Sequence, residues 1–229
     1  MKPRLFSSAL PFGTLGVALA ALAGAVGCTG DAPEVDTPTP DVERATPDAL
    51  DMAIRVAYFE NLATHCGQAF PGGLTLEPPG DDMLEGEELL VVHFRECTDD
   101  ELQLPFHIEK MDGEWDRSRT WIFRKHGDGT LELRHDHRQP DGTEEDVTWY
   151  GAFTVAAGTP HRQEFIRDRE YEDGSTRGWR IEIEPGERYT YGTIRNGEWT
   201  WRVDFDLSEP LDETPPPPWG YEDGRGPLR

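Results

Sequence analysis

The most pointed chemistry in this chain lies in the run Leu131-Glu132-Leu133-Arg134-His135-Asp136-His137-Arg138. A strand of period two places Leu131, Leu133, His135 and His137 on one face, so two imidazoles continue an apolar stripe. Such a pair can hold zinc or copper if a third ligand comes from elsewhere, and Asp146 and His107 are the candidates. Metal-bound water would then be the nucleophile of a hydrolase. The same histidines can instead be hydrogen-bonded structural groups or the polar part of a ligand site.

The neighbouring hairpins choose among these readings. A three-residue loop at Gly127-Asp128-Gly129 sets His137 opposite Arg119, His135 opposite Trp121 and Leu133 opposite Phe123. A two-residue turn at Asp141-Gly142 then puts Asp146 opposite His137, Thr148 opposite His135 and Tyr150 opposite Leu133. A three-residue loop there brings Val147 and Trp149 to that face instead. A second polar group comes from Leu90-Val91-Val92-His93-Phe94-Arg95-Glu96-Cys97, where His93, Arg95 and Cys97 share a face and Val92 and Phe94 take the other. At a barrel mouth or interior, Arg95 would form an anion clamp with Arg119; otherwise its guanidinium is satisfied by carbonyls or a carboxylate. The candidate ligand-binding set is therefore Arg119, Trp121, His135, His137, Asp146, Thr148, Tyr150, His93 and Arg95.

Other chemistries lack their spacing. Arg117-Ser118-Arg119 has no glycine-rich phosphate loop, and neither a GxSxG elbow nor an HExxH helix is present. Glu182/Glu184 and Asp204/Asp206 alternate with Arg180 and Arg202 as charge pairs on wet strand faces do. The Asp-Gly sites lack the calcium-loop pattern. No catalytic residue is assigned and no cofactor is expected.

These residues need strands to position them. From residue 88 onward, short β-branched and aromatic runs are broken by Asp112-Gly113, Asp128-Gly129, Asp141-Gly142, Asp173-Gly174 and Asn196-Gly197, which are hairpin signals. Alternation is clean in Leu102/Leu104/Phe106/Ile108, Trp179/Ile181/Ile183 and Trp199/Trp201/Val203/Phe205/Leu207. The expectation is a mainly β fold: an antiparallel up-and-down meander of about nine strands closing into a barrel, with a two-sheet sandwich as the alternative. Thr46-Pro47 opens a helix over 47–65 with Met52, Val56, Phe59 and Ala63 on one face, and Gly67 stops it. Residues 68–86 read as loop. The domain spans 47–209, and the proline-rich stretch 210–229 reads as an extended, disordered tail.

The first 27 residues have the form of a signal peptide: Lys2 and Arg4 precede an apolar, alanine-rich run ending in small residues. Ala25-Val26-Gly27-Cys28 resembles the lipobox of bacterial lipoprotein precursors, although Ala25 stands where leucine is usual and Ala23-Gly24-Ala25 offers an ordinary cleavage site that would release a soluble protein. The resemblance implies lipid on Cys28, and Thr29 implies the outer membrane in a Gram-negative cell. With Cys28 so assigned, Cys66 and Cys97 remain as an even pair for a disulfide in an oxidising compartment. Residues 28–46 then form a tether rich in proline, threonine and acids, reaching about 50 Å at roughly 3 Å per residue.

The chain carries 22 Lys and Arg against 45 Asp and Glu, a net charge of −23. Such a surface repels nucleic acid, and the membrane is reached through the lipid. The remaining expected partner is a small or amphipathic ligand, or an envelope protein, bound by a monomer. VVHFREC, RSRTW, LRHDHRQPDG, WYGAF and RQEF together resemble an uncharacterised group of secreted bacterial proteins over about residues 50–207, which implies no catalytic residues. The barrel is similar in strand count to lipocalin-like binders. Mass spectrometry of the mature N-terminus is expected to find acylated Cys28; a free Val26 or a later uncapped start would refute the anchor.

Overall fold

Each of the five Asp-Gly and Asn-Gly pairs turns the chain, with the glycine in the left-handed region at φ between 67° and 83°. In four of them the aspartate Oδ1 accepts the backbone N–H two residues on, at Glu114, Thr130, Thr143 and Ser175. This side-chain turn is what selects Asp before Gly. The computed structural model describes residues 47–80, 84, 86–222, 224 and 226; the leader, Cys28 and the tether lie outside them.

Helix α1 (Pro47–Ala63) leads into strands β1 (Ala69–Leu76), β2 (Leu90–His93), β3 (Glu96–Cys97), β4 (Glu101–Glu109), β5 (Trp115–Lys125), β6 (Leu131–His137), β7 (Tyr150–Thr154), β8 (Arg162–Ile166), β9 (Arg177–Glu184), β10 (Arg188–Arg195) and β11 (Glu198–Asp206). The antiparallel order is β2-β1-β11-β10-β9-β8-β7-β6-β5-β4-β3, and β2 also pairs with β4. Ten strands thereby close into a barrel, and the two-residue β3 continues the place of β2 along β4. Closure removes free edges and discards the sandwich.

The strand missing from the expected nine is β1. The sequence reads as loop over residues 69–76 because Pro71-Gly72-Gly73 punctuates them, yet they pair with β11 on one side and β2 on the other. Gly72 is required there: a Cβ at this position would collide with the Phe205 ring and the Asp204 carbonyl. The small residue that reads as a loop breaker makes room for a core aromatic.

Inside the barrel, Phe70, Leu90, Leu102, Leu104, Phe123, Leu131, Leu133, Phe165, Ile181, Ile183, Tyr189, Val203 and Phe205 are buried in one cluster. Tyr58, Phe59 and Leu62 of α1 belong to it, so the helix plugs the end at which β5 turns into β6 and β9 into β10. Asn61 donates to the Pro160 carbonyl at 2.9 Å, and Lys125 lies 5.0 Å over the Phe59 ring. Met52, expected on the buried face, is 39% exposed and only touches the Gly129 turn. The face that packs is rotated toward Tyr58 and Leu62. Gly67 stops the helix as expected, with φ 82° and its N–H on the Phe94 carbonyl. Cys66 and Cys97 form a disulfide there. Bridging residues 31 apart, it contributes about 3 to 4 kcal/mol by restricting the unfolded chain.

Among the described residues no helix is long and apolar enough to cross a membrane. The tail is extended as expected, but the expectation of disorder is corrected for residues 211–221. Leu211 N–H bonds Ala69 O, Trp219 N–H bonds Arg117 O, and Arg117 Nη1 donates to Pro217 O. Pro215, Pro218 and Tyr221 are buried. Tyr221 donates its hydroxyl to Asp136 Oδ2 at 2.5 Å, on a carboxylate that also accepts from Arg138 Nε at 2.8 Å and Thr148 Oγ1 at 3.2 Å. Proline-rich chain has little entropy to lose, and a buried carboxylate needs every donor it can find. Tyr221→Phe removes one charge-assisted bond from a fully buried carboxylate, and urea unfolding is expected to show a loss of about 1.5 to 3 kcal/mol.

Candidate functional site

The β5–β6 register is the one expected. Arg119 pairs with His137, Trp121 with His135 and Phe123 with Leu133. The β6–β7 connection follows neither simple version. It turns through Pro140-Asp141-Gly142 with Arg138 bridging Glu144, which is the three-residue form. Residues 145–149 then bulge, Trp149 adopts a left-handed backbone at φ 56°, and Tyr150 arrives opposite His135. Trp149 is turned outward, where the Arg124 guanidinium lies 5.0 Å from its ring centroid.

At the end opposite α1 the interior opens into a cavity of about 590 Å³. Phe106, Trp121, Tyr150, Trp179, Tyr191 and Trp201 supply most of its wall, with Arg119, Arg167, His135, His137, Thr193 and Thr200 among them and Pro78 and Val147 also in the lining. The rings support one another: Trp121 stacks on Phe106 at 5.0 Å and on Tyr191 at 4.0 Å, and His135 stacks on Tyr150 at 4.6 Å. This is a pre-packed aromatic wall, in which each ring is held in place by a neighbour.

His135 is fully committed. Nδ1 lies 3.1 Å from the Tyr150 carbonyl, which can only accept, so Nδ1 carries the proton. Nε2 therefore accepts from the Tyr191 hydroxyl at 2.6 Å. Burial depresses its pKa to about 3, with the Tyr150 bond opposing. His137 Nδ1 faces Glu145 Oε2 at 3.4 Å and Nε2 meets the Tyr150 hydroxyl at 3.1 Å. Burial, and next the Arg119 guanidinium, hold its pKa below the ordinary value. Both imidazoles are hydrogen-bonded parts of the wall.

Five expected residues meet at the cavity: Arg119, Trp121, His135, His137 and Tyr150. Four do not. Asp146 is exposed in the bulge and does not line the cavity. Thr148 accepts the His137 backbone N–H and donates to Asp136 on the outer face. In β2 it is Val92 that points inward, paired with Phe106, so His93 faces out. An extra residue at Phe94–Arg95 then shifts the phase before Cys97 pairs with Leu102. Arg95 faces the tail, donating to the Gly224 and Tyr221 carbonyls at 2.8 and 3.1 Å. Of the two readings of Arg95, the guanidinium satisfied by carbonyls describes it, and no clamp with Arg119 is formed.

The ligand set of the metal alternative, His135, His137 and Asp146, is not brought together. Among the described residues no three His, Cys, Asp or Glu side chains gather to hold an ion. Both His135 nitrogens are engaged, and Asp146 lies elsewhere.

Residues that the alternation did not assign to the site include Arg167, Trp179, Tyr191, Thr193, Thr200 and Trp201. Trp179 and Trp201 stand in the alternating runs and were legible as interior. A bulge at Thr200 breaks the last run: Thr193 pairs with Trp201 but Ile194 with Trp199. Trp199 is thereby turned outside, between Arg180 and Arg202 at 5.0 and 5.5 Å, contrary to the alternation.

No family model matches this chain. No curated protein matches it either. Among solved structures it is similar to a de novo designed fluorescence-activating β-barrel, at 10% identity over 64% of this chain and 96% of that one, with a TM-score of 0.26. The barrel assignment stands on the strand pairing itself.

Three buried histidines give a pH dependence. His135 and His107 are held to about 3 and His93 to about 4, in each case chiefly by burial. The unfolded chain takes up these protons near the ordinary value of about 6.5 while the folded chain does not. Stability is therefore full above about pH 6.5 and falls as the pH drops toward the depressed values, by up to about 1.4 kcal/mol per pH unit for each histidine. Urea midpoints at pH 7 and pH 5 are expected to show this loss, and His107→Leu to lessen it.

Proposed function

We propose that this is a lipid-anchored protein of the bacterial cell envelope whose barrel takes a small amphipathic molecule into the aromatic cavity at its open end. The observation that carries the reading is the unequal filling of the barrel. The same strands whose side chains pack solidly beside α1 leave about 590 Å³ at the other end. That volume falls within the ~300–1,000 Å³ of small-molecule sites. Its wall is apolar in area but carries fixed hydroxyls and guanidiniums, which suits a ligand with one polar end.

The anchor is supported by cysteine arithmetic. The chain has three cysteines, and the pairing of Cys66 with Cys97 leaves Cys28 as the odd one. The same disulfide suits an oxidising compartment such as the periplasm or the cell exterior. Binding without chemistry is favoured because every ring nitrogen of the two histidines is already engaged, those of His135 by the Tyr150 carbonyl and the Tyr191 hydroxyl and those of His137 by Glu145 and the Tyr150 hydroxyl.

The test is occupancy of the cavity. A naphthylamine dye is expected to bind the unlipidated Cys28→Ser chain at a single saturable site with enhanced emission. Thr193→Trp, which places an indole in the opening, is expected to abolish that site while thermal unfolding stays within a few degrees of the parent. Undiminished dye binding by the Thr193→Trp chain would refute the cavity as the binding site.

A further inference from the structure

The cavity has a charge character opposite to that of the molecule around it. Acidic residues outnumber basic ones 45 to 22 in the sequence, yet the side chains lining the cavity include two arginines and no carboxylate. Chance placement on so acidic a chain would favour the reverse.

The two guanidiniums differ in how they are held. Arg119 is fixed from behind: its Nη1 donates to Asp116 Oδ2 at 3.0 Å and to Ser118 Oγ at 2.9 Å. Asp116 itself stands outside the lining. One edge of the guanidinium is thus anchored, and its remaining N–H groups are held in a defined orientation. Arg167 is exposed at the end of β8 and forms no ion pair among the described residues; it lies 4.5 Å over the Trp179 ring and 5.8 Å over that of Tyr150. Stacking aligns the guanidinium plane while leaving its in-plane donors available. Tyr150 lies between the two cations, and both oppose the upward push that burial gives its phenol. The Glu145 carboxylate beside this site faces His137.

We infer that the ligand is an anion with a flat, mainly apolar body: an aromatic carboxylate, sulfonate or phosphate monoester. The body packs among the rings of Trp121, Trp179 and Trp201, and the charged group lies within reach of Arg119 and Arg167. This rests on the cavity being a ligand site at all. An acidic exterior sharpens the selection, since an anion gains nothing elsewhere on the surface and binds only where guanidiniums replace its lost hydration.

Two dyes of the same shape separate the class from the site. On the unlipidated Cys28→Ser chain, anionic 1-anilinonaphthalene-8-sulfonate is expected to bind about tenfold or more tighter than neutral N-phenyl-1-naphthylamine, the difference that one charge-assisted contact supplies. Raising the salt is expected to weaken the sulfonate and leave the neutral dye unchanged. Arg167→Gln, at an exposed position, is expected to lower sulfonate affinity by a similar factor and to change neutral-dye affinity by much less. Arg119→Lys, which keeps the charge near Asp116 but loses the fork, is expected to do so less strongly. Equal binding of the two dyes, or a sulfonate affinity indifferent to Arg167→Gln, would overturn the anion class while leaving the cavity reading standing. Binding of neither dye would overturn both.

Discussion

Closure of the barrel depends on one backbone seam, the pairing of β1 with β11 and β2. Without it β2 and β11 would be raw edges, and the interior would be an open sheet with its core aromatics facing water. The seam in turn depends on an atom that is missing. At Gly72 the absence of a Cβ lets the Phe205 ring lie against the β1 backbone, so strand pairing and core packing are satisfied at one point. Ring order, the plug made by α1, and the emptiness of the opposite end all follow from that closure.

Within the closed ring, strand β6 carries two systems back to back. His135 and His137 face inward and hold Tyr191 and Tyr150; Asp136, between them in sequence, faces outward and holds Tyr221, Arg138 and Thr148. Period two assigns alternate residues to opposite sides of a single backbone, so the cavity wall and the tail clasp are set by one strand's register. A slip of one residue would exchange a buried carboxylate for an imidazole on each face, and neither environment would tolerate it.

Much of this could be read from the residues because the deciding signals are local. The Asp-Gly turns fix hairpins through bonds spanning two residues, and the β5–β6 register follows from one loop length. Four of the nine expected site residues went astray where the signal stops being local. Asp146 and Thr148 depended on a regular β6–β7 hairpin, which the left-handed Trp149 breaks. His93 and Arg95 depended on a continuous strand, which the extra residue before Cys97 interrupts. β1 was hidden by Pro71-Gly72-Gly73, whose meaning lies in Phe205, far along the chain. Arg167 stands just past a strand end, where no periodicity reaches, and Tyr221 sits beyond four prolines that by themselves signal only stiffness.

The division of the interior into a packed half and an open half has an evolutionary consequence. Residues beside α1 and the disulfide are constrained by one another, since each fills space that its neighbours define. Those at the open end meet mainly rings of the wall and the loops beyond, so an exchange there alters what fits without undoing the plug. Selection can therefore act on the two halves at different rates. A descendant of this chain can change its cargo by substitutions at the ends of β8, β10 and β11 and in the loop after β6, while the foundation that keeps the ring shut is inherited unchanged.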